Sequence, residues 1–297
     1  MIPFLKKAFF FFLYIIMVVY LLTIDWVPYK KKSTFIYAAF DKQNLIEKRN
    51  KKPKVYFTGG SGIAFGLDTK KIINLTNLNC INLGLNGGLG AKFYLDQLIY
   101  SAKKNDIILI FFEYGLPFNG FGELLGDIDE LPFINLNFSQ FIDFKKNCYF
   151  RNYRYYIENR FVENSLYSRS GFNELGDFIG HWEEPNRSIE AKKYEINYVN
   201  YIDELNDFNK IMNEKGIKVY FIYPPIRESC FKISKEYFYK SIKEFESIVE
   251  IPILSSIEEN IFPDSLFFDT KHHLNIQGVQ NFSSFVTKKL FQISNVN

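Results

Sequence analysis

The sequence predicts an α/β domain built on a parallel sheet of about five strands, and three observations carry that expectation. Short β-rich runs break into glycine loops, as at Val55-Tyr56-Phe57-Thr58 followed by Gly59-Gly60-Ser61-Gly62. Residues 107–112 are apolar throughout, as strands buried on both faces of a parallel sheet are. Stretches with helical spacing separate these runs, which gives the βαβ rhythm of such folds.

Taken in chain order, the first element is an apolar segment. Residues 8–24 carry no charge, and they lie between Lys6-Lys7 and Asp25-Trp26, Tyr29 and Lys30-Lys31-Lys32. At about 1.5 Å per residue this run is long enough for a thin hydrocarbon core of ~27–30 Å, with Trp26 at the interface. A cleavable signal peptide is the rival, but the run exceeds the ~7–15 residues of such segments and no small-x-small cleavage site follows. Residues 1–29 are therefore expected to be an uncleaved, single-pass anchor. Lysines flank both ends, so charge does not fix the orientation. Residues 30–53 are polar and lysine-rich and read as a basic linker.

The body is expected to run from Lys54 to Asn297. After the strand at 55–58 comes a second apolar run, Cys80-Ile81-Asn82-Leu83, ending in Gly84, Gly87, Gly88 and Gly90; then a helix over 93–103 and the strand at 107–112. Between about residues 115 and 190 the periodicity dissolves into aromatic-rich sequence, read as an insertion with short helices. Regular alternation resumes with a helix over 196–215 stopped by Gly216, a strand over 219–223, a helix over 234–249, a strand over 252–254 and a final helix after Asn275.

With 47% hydrophobic residues, 33 Phe and 20 Tyr, the chain has ample material for a packed interior and is not a disordered one. Its net charge of +3 hides an asymmetry, because residues 1–54 hold eleven Lys/Arg against three Asp/Glu while the remainder holds 25 against 30. A nucleic-acid enzyme carries its basic surface on the catalytic body, so this distribution excludes that class as the expectation. The lysines near the apolar segment suit anionic headgroups instead. Three cysteines, Cys80, Cys148 and Cys230, are too few for a disulfide framework. Three histidines without HxH or HExxH spacing give no reason to expect a metal.

A serine at the end of the first strand and an Asp/His group near the C-terminus supply what acyl transfer needs. A serine hydroxyl is a poor nucleophile until a histidine takes its proton, and the histidine needs a carboxylate to fix its tautomer. Taken singly, the glycine-serine turn reads equally as a tight βα turn, and the two histidines as a surface pair at a helix cap.

Three strings make the joint pattern more specific. FTGGSGIAFGLD at 57–68, INLGLNGG at 81–88 and FFDTKHHLNIQG at 267–278 resemble, in order and placement, the first, second and last blocks of the SGNH/GDSL hydrolase superfamily. The resemblance implies a three-layer α/β/α, flavodoxin-like domain in which Ser61 is the nucleophile and Asp269 orients the base. It also implies that the backbone N–H groups of Ser61 and Gly87 form the oxyanion hole. Asp-x-x-His spacing selects His272 as the base, and the register of His-Leu-Asn selects His273. The superfamily's third block supplies an Asn donor after the third strand, whereas this chain reads FFEYG at 111–115. A carboxylate at Glu113 does not donate unless protonated, so either the Tyr114 hydroxyl is the substitute or that donor is absent. The run YSRSGFNELGDFIGHW at 167–182 resembles a feature of membrane-anchored relatives from cell-surface polysaccharide gene sets, and places Asn173, Asp177 and His181, with Tyr114, as candidates to line a substrate groove.

The resemblance implies a serine esterase or O-acyltransferase acting on O-acetyl groups of a cell-surface glycan or on a small ester, with no cofactor, on an extracytoplasmic, membrane-tethered domain. Two other classes compete. A non-catalytic binding or assembly protein on the same fold is kept open by the missing Asn. A nicotinamide-dependent sugar-nucleotide enzyme would need an acidic residue ending the second strand, where Asn82-Leu83-Gly84 stands, and Tyr239 to Lys243 lies too late for its catalytic pair. The G-x-S-x-G elbow of α/β-hydrolases fails at Ile63.

Overall fold

The computed structural model describes residues 2–23, 35–48, 53–120, 167–187, 190–194 and 196–294. They fall into two units, residues 1–32 and residues 33–297. The first contains helix α1, Ile2–Thr23, whose aromatic and aliphatic side chains from Phe4 to Met17 are largely exposed. Among the described residues no helix is long and apolar enough to cross a membrane. The expected span continues past the last described side chain of α1, Val18, and its end at Ile24 lies outside the described residues.

The second unit begins at Ser33, well before its first strand at Val55. Residues 35–48, expected to be linker, form a 3-10 turn, Phe35–Tyr37, and helix α2, Ala38–Lys48. Ile36, Ala38, Ala39, Phe40 and Ile46 are buried in the core of the body, and Lys42 is buried among them. The linker expected at 30–53 is therefore corrected for residues 35–48, which are a packed element, while residues 30–34 and 49–52 lie outside the described residues.

The sheet is parallel and follows from the apolar runs. Strands β1, Val55–Thr58, β2, Cys80–Asn82, and β3, Ile107–Ile110, precede β4, Lys218–Phe221, and their order across the sheet is β2-β1-β3-β4. Val55 pairs with Cys80 on one side and with Ile107 on the other, so β1 is central. The expected strand at 252–254 is reduced to one parallel bridge, Phe221 to Ile253. A separate two-stranded ribbon, β5, Ile226–Arg227, with β6, Ile261–Phe262, had no counterpart in the sequence reading.

Alternate residues of each strand enter different cores, as a period of two requires. Tyr56, Ile81, Ile108 and Ile110 pack with α2, with α5, Gly90–Ser101, with α6, Ile202–Glu214, and with α7, Glu228–Ile248. Val55, Phe57, Cys80 and Leu109 pack with α4, Thr69–Thr76, and α8, Ile276–Ser294. Both faces are therefore covered by helices, which explains strands apolar on both sides. The helix expected over 196–215 opens with a 3-10 turn, Tyr198–Tyr201, and ends before Gly216, which takes the left-handed conformation. Residues 121–166, most of the expected insertion together with Cys148, lie outside the described residues. Cys80 and Cys230 are buried free thiols.

Candidate active site

β1 stops at Thr58, and the chain turns sharply into the one-turn helix α3, Ser61–Ala64. Ser61 is its first residue, so its N–H has no partner within the helix. The turn is held from outside by Glu113, just beyond β3. Its carboxylate accepts Gly60 N–H at 2.9 Å through one oxygen and Gly62 N–H at 2.6 Å through the other. A Cβ on Gly60 would sit 2.5 Å from both carboxylate oxygens, and one on Gly62 3.1 Å from Oε1, so both positions are glycine to let the carboxylate approach. Burial pushes the Glu113 carboxyl up, while the two N–H groups and the charge of His273 pull it the other way.

The histidine that meets Ser61 comes from the opposite end of the chain. Phe267 and Leu274 form an antiparallel bridge, and Phe268 N–H donates to His273 O at 2.8 Å, so residues 268–273 close a tight loop. Thr270 Oγ1 accepts the N–H of His272 at 3.2 Å and of His273 at 3.0 Å. Asn275 accepts Gly278 N–H at 3.0 Å at the start of α8, an N-cap that explains the asparagine after His-Leu.

This loop brings Asp269 and His273 onto Ser61. His273 Nδ1 is 2.9 Å from Asp269 Oδ1, and His273 Nε2 is 2.9 Å from Ser61 Oγ. A carboxylate only accepts, so Nδ1 carries the proton and Nε2 is left to accept from the serine hydroxyl. Asp269 is further fixed by the Tyr167 hydroxyl, which donates to its Oδ2. Burial opposes its charge, but the hydrogen bond and charge of His273, the Tyr167 hydroxyl and Arg187 outweigh it and hold the carboxyl below its ordinary value. Phe65 stacks on the His273 ring at 4.0 Å between centroids and 7° between planes, which fixes the imidazole from its face.

Between the two histidines the geometry is decisive. The hydrogen bond to Ser61 is made by His273, while the His272 ring lies edge-on to Tyr194 at 5.3 Å. Burial, with the neighbouring charges of Lys271 and His273, lowers its pKa to about 3, so it stays neutral. It does line the cavity of about 300 Å³ in front of Ser61, together with Gly87, Glu113, Gly115, Leu116, Lys193 and Lys271. Gly87 opens a 3-10 turn, Gly87–Leu89, in which Asn86 accepts Gly88 N–H, and a Cβ on Gly87 would meet only Leu116, at 3.5 Å. Ser61 and Gly87, whose N–H groups are the expected oxyanion donors, both line this cavity.

The groove residues are corrected. Tyr114 is fully buried, and its hydroxyl donates to Pro224 O at 2.9 Å, so it neither lines the cavity nor replaces the missing donor. Asp177 is buried in a closed network, accepting from Thr69 N and Oγ1, Asn82 Nδ2 and Asn173 Nδ2. Asn173 closes the same turn by accepting Leu175 and Asp177 N–H groups. His181 donates from Nε2 to Leu274 O at 2.9 Å within an aromatic cluster of Phe65, Phe178 and Phe268. These three support the site from behind: Asn82 Nδ2 also donates to Ile63 O, and Phe178 N–H to Ala64 O, so the network clamps α3. The expectation of a substrate role for them rests on the resemblance of the 167–182 run, and the burial of Asp177 and His181 overrides it.

The sequence reading passed over Glu113 as a positioning group because it asked only whether the side chain replaces an Asn donor. Tyr167 and Phe65 carried no signal, since contacts across more than 100 residues are not visible in local spacing. No protein-family model matches the chain, and no curated protein matches it either.

Proposed function

We propose that the chain is a serine esterase or O-acyltransferase of the SGNH type, a three-layer α/β/α domain tethered to a membrane by its first helix. The observation that carries this reading is the continuous relay from Ser61 Oγ through His273 to Asp269, each link at 2.9 Å. Hydrogen-bonded in this order, the three groups form the arrangement in which a histidine takes the serine proton and a carboxylate stabilises the resulting imidazolium. Ser61 attacks the acyl carbonyl, the oxyanion forms against the N–H groups of Ser61 and Gly87, and His273 returns the proton to the leaving alcohol. Water or a sugar hydroxyl then releases the acyl group from Ser61. O-acetyl groups of a cell-surface glycan are the proposed substrate, on an extracytoplasmic face.

A specific observation favours a second reading. Glu113 puts a carboxylate where a third oxyanion donor is expected, and a binding protein on the same fold has no use for that donor. One experiment separates the two: ester turnover and active-serine fluorophosphonate labelling of the wild type and of Ser61→Ala, His273→Ala and His272→Ala. The enzyme reading expects labelling to vanish in Ser61→Ala and turnover to drop by about 10³-fold or more in Ser61→Ala and His273→Ala. His272→Ala should keep the serine reactive. An unlabelled wild type without turnover supports the binding protein instead.

A further inference from the structure

The carboxylate of the relay is held through both of its oxygens. Asp269 Oδ1 is 2.9 Å from His273 Nδ1, and Asp269 Oδ2 accepts the Tyr167 hydroxyl. The side chains of Asp269 and His273 are only 7% and 8% exposed, so water does little to satisfy either. A carboxylate oxygen kept from water needs a donor, and among the described residues Tyr167 supplies it. Burial, the hydrogen bond to Asp269 and that carboxylate's charge all push the Tyr167 hydroxyl well above its ordinary value, so it keeps the proton it donates.

The hydroxyl is placed by more than this one contact. The Tyr167 ring is stacked on Phe178, with 6.2 Å between centroids and 11° between planes; Phe35 lies edge-on to it at 6.0 Å and Phe65 is tilted against it at 5.5 Å. Phe65 is also the ring that stacks on the His273 imidazole. One aromatic block, drawn from the turn before α2, the residue after α3 and the 167–178 segment, therefore sets both the plane of the imidazole and the second oxygen of its carboxylate. The Tyr167 hydroxyl oxygen also stands 3.4 Å from His273 Nδ1, as a second and weaker acceptor for the N–H that Asp269 receives.

From this we infer that Tyr167 is a positioning residue of the relay, acting on Ser61 only through Asp269 and His273. Its hydroxyl keeps the carboxylate in register with Nδ1 and tempers the pull of that carboxylate on an added proton, so that Nε2 stays free to take the serine proton. Without the hydroxyl the buried charge loses a donor, and the Asp269–His273 pair takes up a proton at higher pH. The other charged or titratable groups that act on Asp269 are Arg187 and His181; those that act on His273 are Glu113, His181 and His272. Removing one hydroxyl leaves all of them in place. The inference rests on the esterase reading for the reaction that the relay serves; the link from Tyr167 to His273 does not depend on it.

The test places Tyr167→Phe in the full chain in detergent, which keeps the ring and its packing and removes only the hydroxyl. With isotope-labelled histidine the three histidines of the chain give three Cε1–H signals by NMR, and His273→Gln identifies the one that belongs to the relay. In Tyr167→Phe the titration midpoint of that signal should move up by about half a unit to one unit relative to wild type. The acid limb of kcat/KM for nitrophenyl acetate should move up with it, while kcat on the plateau falls about three- to tenfold and KM changes much less. A midpoint and an acid limb that stay in place or move down overturn the inference. So does a loss of activity in Tyr167→Leu that Tyr167→Phe does not share, which would make Tyr167 a packing group. Fluorophosphonate labelling of the wild type decides the esterase reading separately. Labelling with an unmoved midpoint removes the role of Tyr167 and leaves the enzyme, whereas a moved midpoint without labelling removes the enzyme and keeps the link from Tyr167 to His273.

Discussion

Both oxygens of Glu113 are taken by N–H groups on either side of Ser61, so the turn that carries Ser61 is tied to the end of β3 by one side chain. Glutamine has nearly the same shape but offers only one acceptor oxygen, and its NH₂ group would face a second donor. Glu113→Gln is therefore expected to keep the fold and shift the turn. Misplacement of a nucleophile by about 1 Å costs on the order of 10²-fold. The expected result is a fall in kcat of about ten- to hundredfold with KM changed much less, and slower fluorophosphonate labelling. Wild-type labelling in Glu113→Gln would show that the tie has no bearing on the serine. Ser61, Asp269 and the pair of histidines stand out in the sequence because they lie at loop ends marked by glycine or by a helix cap, whereas spacing leaves the choice between His272 and His273 open. Glu113 was visible at its position, but its role depends on two backbone N–H groups 51 and 53 residues away, which no local pattern reports.

At the scale of elements, the four strands of the main sheet and the long helices follow from apolar runs and periodicity, and the β5–β6 ribbon and α2 do not. Its buried positions, Ala38, Ala39, Phe40, Lys42 and Ile46, include a lysine and two alanines, so the apolar stripe is too thin to stand out. What holds Lys42 inside is visible only in three dimensions. Its Nζ donates to Asn82 O at 3.0 Å and to Gly176 O at 2.6 Å, lies 4.6 Å from the Phe172 ring centre and feels the charge of Asp177. The helix thus bridges the end of β2 and the turn that clamps α3. A chain beginning at Lys54 strips Ile36, Phe40 and Ile46 from the core. Each large buried apolar side chain lost costs about 2–5 kcal/mol, comparable together to the ~5–15 kcal/mol stability of a whole domain. That chain is expected to be largely unfolded or insoluble, whereas one beginning at Ser33 gives a cooperative melt by circular dichroism. Equal melting temperatures for the two would show that α2 is dispensable.

For the body as a whole, acid stability is governed by buried titratable groups whose shifts do not all run one way. Burial lowers His181 to about 4 and His272 to about 3, against 6.5 when exposed. Below pH 6.5 the unfolded chain therefore takes up protons that the folded chain refuses, and stability falls as the pH is lowered through that window. Below the folded values both states are protonated and the loss is complete. Asp269, held low, adds a further loss as pH falls through its own folded value. Asp177 and Glu113, raised chiefly by burial, bind protons earlier when folded and work in the opposite sense. The net slope mixes these terms, so one histidine is best isolated by difference. His181→Gln keeps an N–H donor for Leu274 O but has no proton to gain. Its stability relative to wild type should rise as pH drops from 6.5 to 4, by up to about 1.4 kcal/mol per pH unit. Urea unfolding of both proteins across that range reads the difference directly. A gap independent of pH would mean that His181 is charged in the folded body, and that its aromatic surroundings do not exclude the proton as their packing requires.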